Sequence, residues 1–205
     1  MKKLSLSSSP LFRAMPLASL ALGAGFSIAP HAQAVEVTVT IENLSPSNGL
    51  FLTPVWVGFH NGNFDIYDLN TPASSALEQL AEDRNNDPLS AEFMASEPDG
   101  TDATITESSR ILGPFDPGSR ARQTFDLNPA TNRFFSYATM VIPSNDAFIA
   151  NANPQAHELF DAEGNFIGPI TFTVLGTQVR DAGTEANTET DAAFFDQTAP
   201  NTNFM

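Results

Sequence analysis

The segment Val35-Glu36-Val37-Thr38-Val39-Thr40-Ile41-Glu42-Asn43 alternates apolar and polar residues with a period of two. This alternation predicts a half-buried β-strand whose apolar face is formed by Val35, Val37, Val39 and Ile41. The strand ends at the turn signal 45–49, SPSNG. A second β-rich run, 53–60 (TPVWVGFH), is closed by an Asn-Gly dipeptide. Its tryptophan, Trp56, stands between two valines and is predicted to pack in the core.

One helix is predicted after these two strands. Thr71 suits the N-cap and Pro72 the first helical position of a helix that runs to Asp83. Its apolar residues recur at helical spacing, at Ala73, Ala76, Leu77, Leu80 and Ala81. A shorter helical turn is predicted to start at 87–88 and to carry three residues inward, Leu89, Phe93 and Met94.

Short strand-like segments separated by Gly, Pro and Asn clusters occupy the rest of the chain. They lie at 103–107, 122–127, 134–142, 147–149, 158–160 and 170–179. Residues 158–168 have the pattern of a β-hairpin. Frequent short strands with one inserted helix predict an all-β domain, an antiparallel β-sandwich over residues 35–190. Residues 191–205 have weak patterning and are predicted to be a loosely ordered tail.

The first 34 residues read as a secretory signal peptide. Two lysines at positions 2 and 3 precede a short apolar run, and Ala32-Gln33-Ala34 matches an A-x-A cleavage signal. The apolar run is too short for a transmembrane helix. We therefore predict a secreted or periplasmic protein that is cleaved after Ala34 and has no membrane span.

The composition excludes several classes of partner. All 24 acidic residues lie beyond position 34, and the formal net charge is −15. Such a surface repels phosphate backbones and anionic lipid headgroups, so nucleic-acid binding and unaided membrane docking are disfavoured. The chain has no cysteine, so its stability depends on its core or on a bound metal rather than on disulfides.

Catalytic motifs are poorly represented. The sequence has neither a G-x-S-x-G elbow nor a Walker A loop, and only His60 and His157 follow the leader. Two distant histidines without thiolates do not suit zinc. A pair of glycosidase-type carboxylates stays open as an alternative, because 24 acids can supply such a pair by chance. We predict that the protein is not an enzyme.

Two acidic loops follow predicted strands and suggest a site for a hard cation. Asp146 lies in the loop 143–146 after an apolar strand, and Asp181 and Glu185 lie in the loop 181–185 after another. Should the two strands be neighbours, these carboxylates converge, and the small Ala182-Gly183 pair lets backbone carbonyls turn inward. Calcium prefers such oxygen ligands. The same pattern also fits solvated loop acids in a very acidic protein.

The order and spacing of four segments resemble the spondin N-terminal domain family in its bacterial exported form. The segments are 53–60, 64–68, 140–146 and 181–185, and the resemblance covers about residues 37–190. It implies a C2-like antiparallel β-sandwich, which agrees with the independent strand pattern. It also implies one Ca²⁺ at an end of the sandwich, held by Asp146, Asp181 and Glu185.

This sequence departs from the animal pattern at three positions near the implied ion. Glu185 replaces an aspartate and is longer by one methylene, and Asn145 and Ala147 replace a proline and an aromatic residue. The change at Glu185 keeps the charge and alters its reach. We expect the site to persist with a changed affinity.

The sequence therefore predicts a calcium-binding spondin-like module with a structural, adhesive or protein-binding role. Its expected partners are the calcium ion and an extracellular or cell-surface protein or glycan. Two alternatives stay open: an exported carboxylate-dependent hydrolase, and a calcium-dependent glycan- or lipid-binding module.

Overall fold

A computed structural model describes residues 33–107 and 113–187. Nearly all of the predicted leader and the whole predicted tail lie outside the described residues. The elements in chain order are β1 (Val35–Glu42), β2 (Phe51–Leu52), β3 (Val55–His60), α1 (Ser75–Asp83), α2 (Asp87–Ser96), β4 (Thr101–Ile105), β5 (Arg120–Leu127), β6 (Phe134–Ile142), β7 (Ala147–Ala150), a 3₁₀ turn (Gly176–Gln178) and β8 (Arg180–Asp181).

The strands form two antiparallel sheets. The larger sheet has the order β4-β3-β6-β7-β8, with β2 also paired to β6, and the smaller sheet pairs β1 with β5. The fold is thus mainly β with a sandwich-like arrangement, as the strand pattern predicts. In the part of the chain that the structure describes, no helix is long and apolar enough to cross a membrane.

Strand β1 packs on the larger sheet as its alternation predicts. It runs antiparallel to β5, with Val37 opposite Phe125, and its burial alternates residue by residue. The inward side chains of both strands contact one face of β3, on which Val57 and Phe59 lie. Apolar residues on one side of each strand therefore form the core between the sheets.

The opposite face of β3 packs against the helices. Trp56 lies in a second core cluster with Leu77 and Leu80 of α1 and with Leu89 and Phe93 of α2. All six residues of β3 are consequently buried. Trp56 is fully buried, which confirms the predicted core role.

The helical prediction needs two corrections at the start of α1. Helix α1 begins at Ser75, and the hydroxyl of Ser74 caps it by accepting a hydrogen bond from Leu77 N at 3.1 Å. The predicted cap, Thr71, instead donates its hydroxyl to the carbonyl of Asp68 at 2.8 Å. Because that bond holds Thr71 in a preceding turn, neither Thr71 nor Pro72 belongs to the helix.

The predicted short turn at 87–88 is a full helix, α2, of ten residues, so two helices are present where one was expected. Leu89 and Phe93 face inward as predicted, but Met94 is 43% exposed. Met94 follows Phe93 directly, and one residue rotates a helix by about 100°, which moves its side chain off the buried face.

The region after residue 157 forms much less sheet than predicted. Residues 170–179 contain no strand; three of their apolar side chains, Ile170, Phe172 and Leu175, are between 42% and 59% exposed. The ring of Phe172 stacks on His157 with centroids 4.0 Å apart instead of entering a sheet. Residues 158–160 and the predicted hairpin retain only isolated bridges, Phe134 to Glu158 and Phe160 to Phe166.

Candidate functional site

Asp146 lies at the end of the loop that joins β6 to β7. The hydroxyl of Ser144 shapes this loop, since it donates to Val141 O and accepts from Ala147 N at 3.1 Å. The side chain of Asp146 is 1% exposed. An aspartate so deeply buried requires partners for its charge.

The loop after β8 wraps around the Asp146 carboxylate. Oδ2 of Asp146 accepts the backbone N–H of Thr184 at 2.9 Å and that of Glu185 at 3.2 Å. Gly183 has a φ of 70° at the bend, a conformation that favours glycine. The small pair 182–183 therefore curves the backbone, and residues 184 and 185 present their N–H groups to Asp146.

The second oxygen of this carboxylate, Oδ1 of Asp146, is buried and receives no hydrogen bond within residues 33–107 and 113–187. Burial raises the pKa of Asp146, and the charge of Asp181 raises it further, whereas the hydrogen bonds from Thr184 and Glu185 lower it. Oδ1 of Asp146 is therefore a buried atom whose desolvation is not compensated by a hydrogen bond among the described residues.

Asp181 is brought next to Asp146 by strand pairing. It lies opposite Ala147 in the β7–β8 ladder, and Ala182 N donates to Asp146 O at 3.1 Å. Its side chain is exposed and caps its own loop, because Oδ1 accepts from Gly183 N at 2.7 Å. The predicted neighbourhood of the two loops is thus present.

The third predicted residue, Glu185, is 6% exposed and lies close to a carboxylate that the sequence analysis missed. This is Glu82 on α1, 9% exposed. Burial raises the pKa of Glu82 to about 7, and the charge of Glu185 adds to the effect, while a hydrogen bond from the Thr184 side chain opposes it. Helical periodicity gave no signal for Glu82, because it lies about 100° from Ala81 and off the apolar stripe of α1.

The four acids fall into two pairs, with Thr184 between them. Asp146 is coupled to Asp181, and Glu82 is coupled to Glu185. Among the described side chains, no three His, Cys, Asp or Glu residues are arranged as a group that could hold a metal ion. The donor atoms of these four side chains are all oxygens, the ligand type that a hard cation such as Ca²⁺ prefers, but the carboxylates are not gathered into one group.

A family model described as Spondin_N matches residues 46–203. The chain belongs to the Spondin_N family. No curated protein matches the sequence. The family is one of non-catalytic modules, and membership indicates an extracellular or secreted protein. The Spondin_N match starts after β1, although β1 supplies one of the two strands of the smaller sheet.

A buried serine–histidine contact in the Spondin_N domain does not have the geometry of a catalytic pair. Nε2 of His60 lies 2.9 Å from Oγ of Ser136, while Nδ1 of His60 accepts the N–H of Gly62 at 3.0 Å. Because Nδ1 is the acceptor, the proton of the neutral ring is on Nε2, which donates to the serine and cannot deprotonate it. Both residues are fully buried, so this contact is structural.

We expect the burial of His60 to make the folding stability of the protein decrease at acidic pH. Burial lowers the pKa of His60 from 6.5 to about 4. Between these two values the unfolded chain binds the proton and the folded chain does not, so the contribution of His60 to stability is complete above pH 6.5 and is lost as the pH falls toward 4. In thermal unfolding, the difference in Tm between wild type and His60→Asn should therefore narrow from pH 7 to pH 4.5.

Phe59→Leu is the matched control, because it changes the neighbouring core position without removing a titratable group. Its difference in Tm from wild type should not depend on pH. If the difference in Tm between wild type and His60→Asn stayed constant from pH 7 to pH 4.5, the assignment of a neutral, buried His60 would be contradicted.

Proposed function

We propose that this Spondin_N domain is an exported, non-catalytic binding module that takes up Ca²⁺ where the loop 143–146 meets the loop 181–185. The observation that carries the proposal is the buried Oδ1 of Asp146, which lacks a hydrogen bond among the described residues. Asp146, Asp181 and Glu185 would hold the ion, and its double positive charge would offset most of their negative charge. The acidic residues lie in two pairs, so binding would draw the carboxylates together.

The role of the ion would be to fix the two loops against each other. We propose that the fixed loops contact a partner, an extracellular or cell-surface protein or glycan. The leader over residues 1–34, cleaved after Ala34, would deliver the protein to the periplasm or the medium.

Calcium is expected to raise the thermal stability of the protein. With a dissociation constant of about 10⁻⁴ M, about 1 mM calcium adds about 1.4 kcal/mol to the free energy of unfolding. For a domain of this size that corresponds to an increase in Tm of about 3–6 °C. Differential scanning calorimetry of the purified protein in calcium and in chelator measures the shift.

Asp181→Asn should reduce the shift, because it removes one ligand charge and leaves an exposed side chain of the same shape. Asp126→Asn removes the same charge from the exposed outer face of β5 and should leave the shift unchanged. A Tm that does not respond to calcium in either the wild type or Asp181→Asn would count against the proposal.

A further inference from the structure

Residues 166–175 are an exposed apolar segment without regular secondary structure. Its large apolar side chains that are between 42% and 59% exposed are Phe166, Ile167, Ile170, Phe172 and Leu175. Phe172 lies against the domain, with its ring centroid 4.0 Å from that of His157 and 5.3 Å from that of Tyr137. So many large apolar side chains in one exposed segment indicate an interaction surface.

The backbone of residues 170–174 has the composition of a strand but lacks a strand partner. Within residues 33–107 and 113–187, no backbone hydrogen bond involves any residue of this stretch. Unpaired N–H and C=O groups in a strand-forming sequence are a template for the addition of another strand. The segment therefore has the side chains of a strand and needs a neighbour to become one.

The sequence of residues 168–176, GPITFTVLG, is nearly symmetric about Phe172. On each side of Phe172 stands a threonine, then a β-branched apolar residue, Ile170 or Val174, and at each end a glycine. Antiparallel pairing of two copies about a two-fold axis at Phe172 places threonine opposite threonine and Ile170 opposite Val174. Both kinds of cross-strand pair are favourable. Such a segment is complementary to itself, which is what a two-fold dimer requires.

The two edges of the segment differ in what they offer to a partner strand. Backbone N–H groups of successive residues alternate between the edges of a strand. The edge of the odd-numbered residues contains Pro169, which has no N–H, and Leu175, whose N–H is donated to Oε1 of Gln178. The edge of the even-numbered residues in 170–174 can accept a partner. Because proline and occupied donors prevent strand addition at the other edge, pairing ends at two copies.

The distribution of charge favours a second copy of this chain as the partner. The formal net charge is −15, yet residues 164–180 contain one arginine and no acidic residue. A basic partner is attracted to the acidic surface, not to this uncharged segment. Two copies that meet along residues 168–176 bring apolar and threonine side chains together and oppose no carboxylates within the paired strands.

We propose that two copies of this chain associate through residues 168–176, which pair as antiparallel strands across a two-fold axis at Phe172. The pairing supplies hydrogen bonds to the backbone of residues 170–174 and removes exposed apolar side chains from water. Since the remaining surfaces of both copies are acidic, salt should strengthen the dimer by screening their repulsion. The inference is independent of calcium binding.

Sedimentation velocity of the purified protein over about a hundredfold range of concentration measures the association. We expect a monomer–dimer equilibrium whose dissociation constant decreases as NaCl is added. Two double variants test the register, because residue 171 of one copy lies opposite residue 173 of the other. Thr171→Glu with Thr173→Glu opposes like charges and should raise the dissociation constant by about a hundredfold or more. Thr171→Glu with Thr173→Lys opposes unlike charges and should stay within about tenfold of the wild type.

Gln123→Glu with Thr124→Glu is the matched control, since it adds two negative charges on the exposed outer face of β5. At high salt its dissociation constant should stay within about threefold of the wild type. Far-UV circular dichroism establishes that each variant is folded. A wild type that stays monomeric, or that forms polymers instead of dimers, overturns the inference. Dimerisation of the Glu–Glu variant as strong as that of the wild type, or loss of the dimer in the Glu–Lys variant, overturns the two-fold register.

Discussion

Trp56→Ala is expected to lower the free energy of unfolding by about 4 kcal/mol, the largest effect that we predict for a single substitution. The indole is fully buried and makes ring contacts with Phe64 and Phe93, with centroids 5.7 and 5.4 Å away. Its Nε1 donates to Ser90 Oγ and to Asp102 Oδ2. Truncation therefore leaves a cavity and also removes the donor for two partners.

The Trp56 ring is also tightly packed on the side where it contacts Gly58 of β3. A Cβ on Gly58 would lie 2.5 Å from the Trp56 ring and 3.1 Å from Phe93. Chemical denaturation followed by far-UV circular dichroism measures the loss, because the variant has no tryptophan fluorescence. Met94→Ala, at an exposed position of α2, is the control and should cost less than about 1 kcal/mol. A loss of similar size in both variants would contradict the predicted core.

Asp146→Ala is expected to cost about 3 kcal/mol in the presence of chelator, and hence independently of any ion. The carboxylate is the acceptor for the backbone N–H groups of Thr184 and Glu185. Without it, two donors in a buried loop lose their acceptor, and each such loss costs about 1–3 kcal/mol. Urea denaturation of wild type and variant in chelator gives the difference.

Asp146→Asn separates the two roles of this residue. It keeps an oxygen that can accept both backbone hydrogen bonds, so the loss in chelator should be smaller, about 1 kcal/mol. It removes the charge, so the stabilisation by calcium should disappear. Asp181→Ala, at an exposed position, should cost less than about 1 kcal/mol in chelator. If Asp146→Ala were as stable as the wild type in chelator, Asp146 would not anchor the loop.

The β-rich fold and the neighbourhood of the two acidic loops could both be predicted from local patterns. The alternation in β1 shows which side of the strand is apolar, and that side packs as expected. The resemblance located Asp146 and the loop 181–185, and the structure brings these together through the β7–β8 pairing. The predicted strand at 170–179 has the composition of a strand, but Phe172 stacks on His157 instead of joining a sheet.

Local sequence patterns predict neither the burial of Glu82 nor the orientation of the loop around Asp146. Glu82 lies off the apolar stripe of α1, and it is buried only because the loop 181–185 packs against that helix. The N–H groups of Thr184 and Glu185 point at Asp146 because of the bend at Gly183. Neither contact has a periodic signature in the sequence.

The sequence by itself determined that this is an acidic, cysteine-free, mainly β protein of the Spondin_N family with acids at two strand ends. Only the tertiary structure decided that β3 is covered on both faces, that Asp146 is anchored by backbone N–H groups and that Glu82 faces the same corner. The physical reason is that periodicity encodes which side of an element is apolar, whereas the residue that covers that side comes from a distant part of the chain.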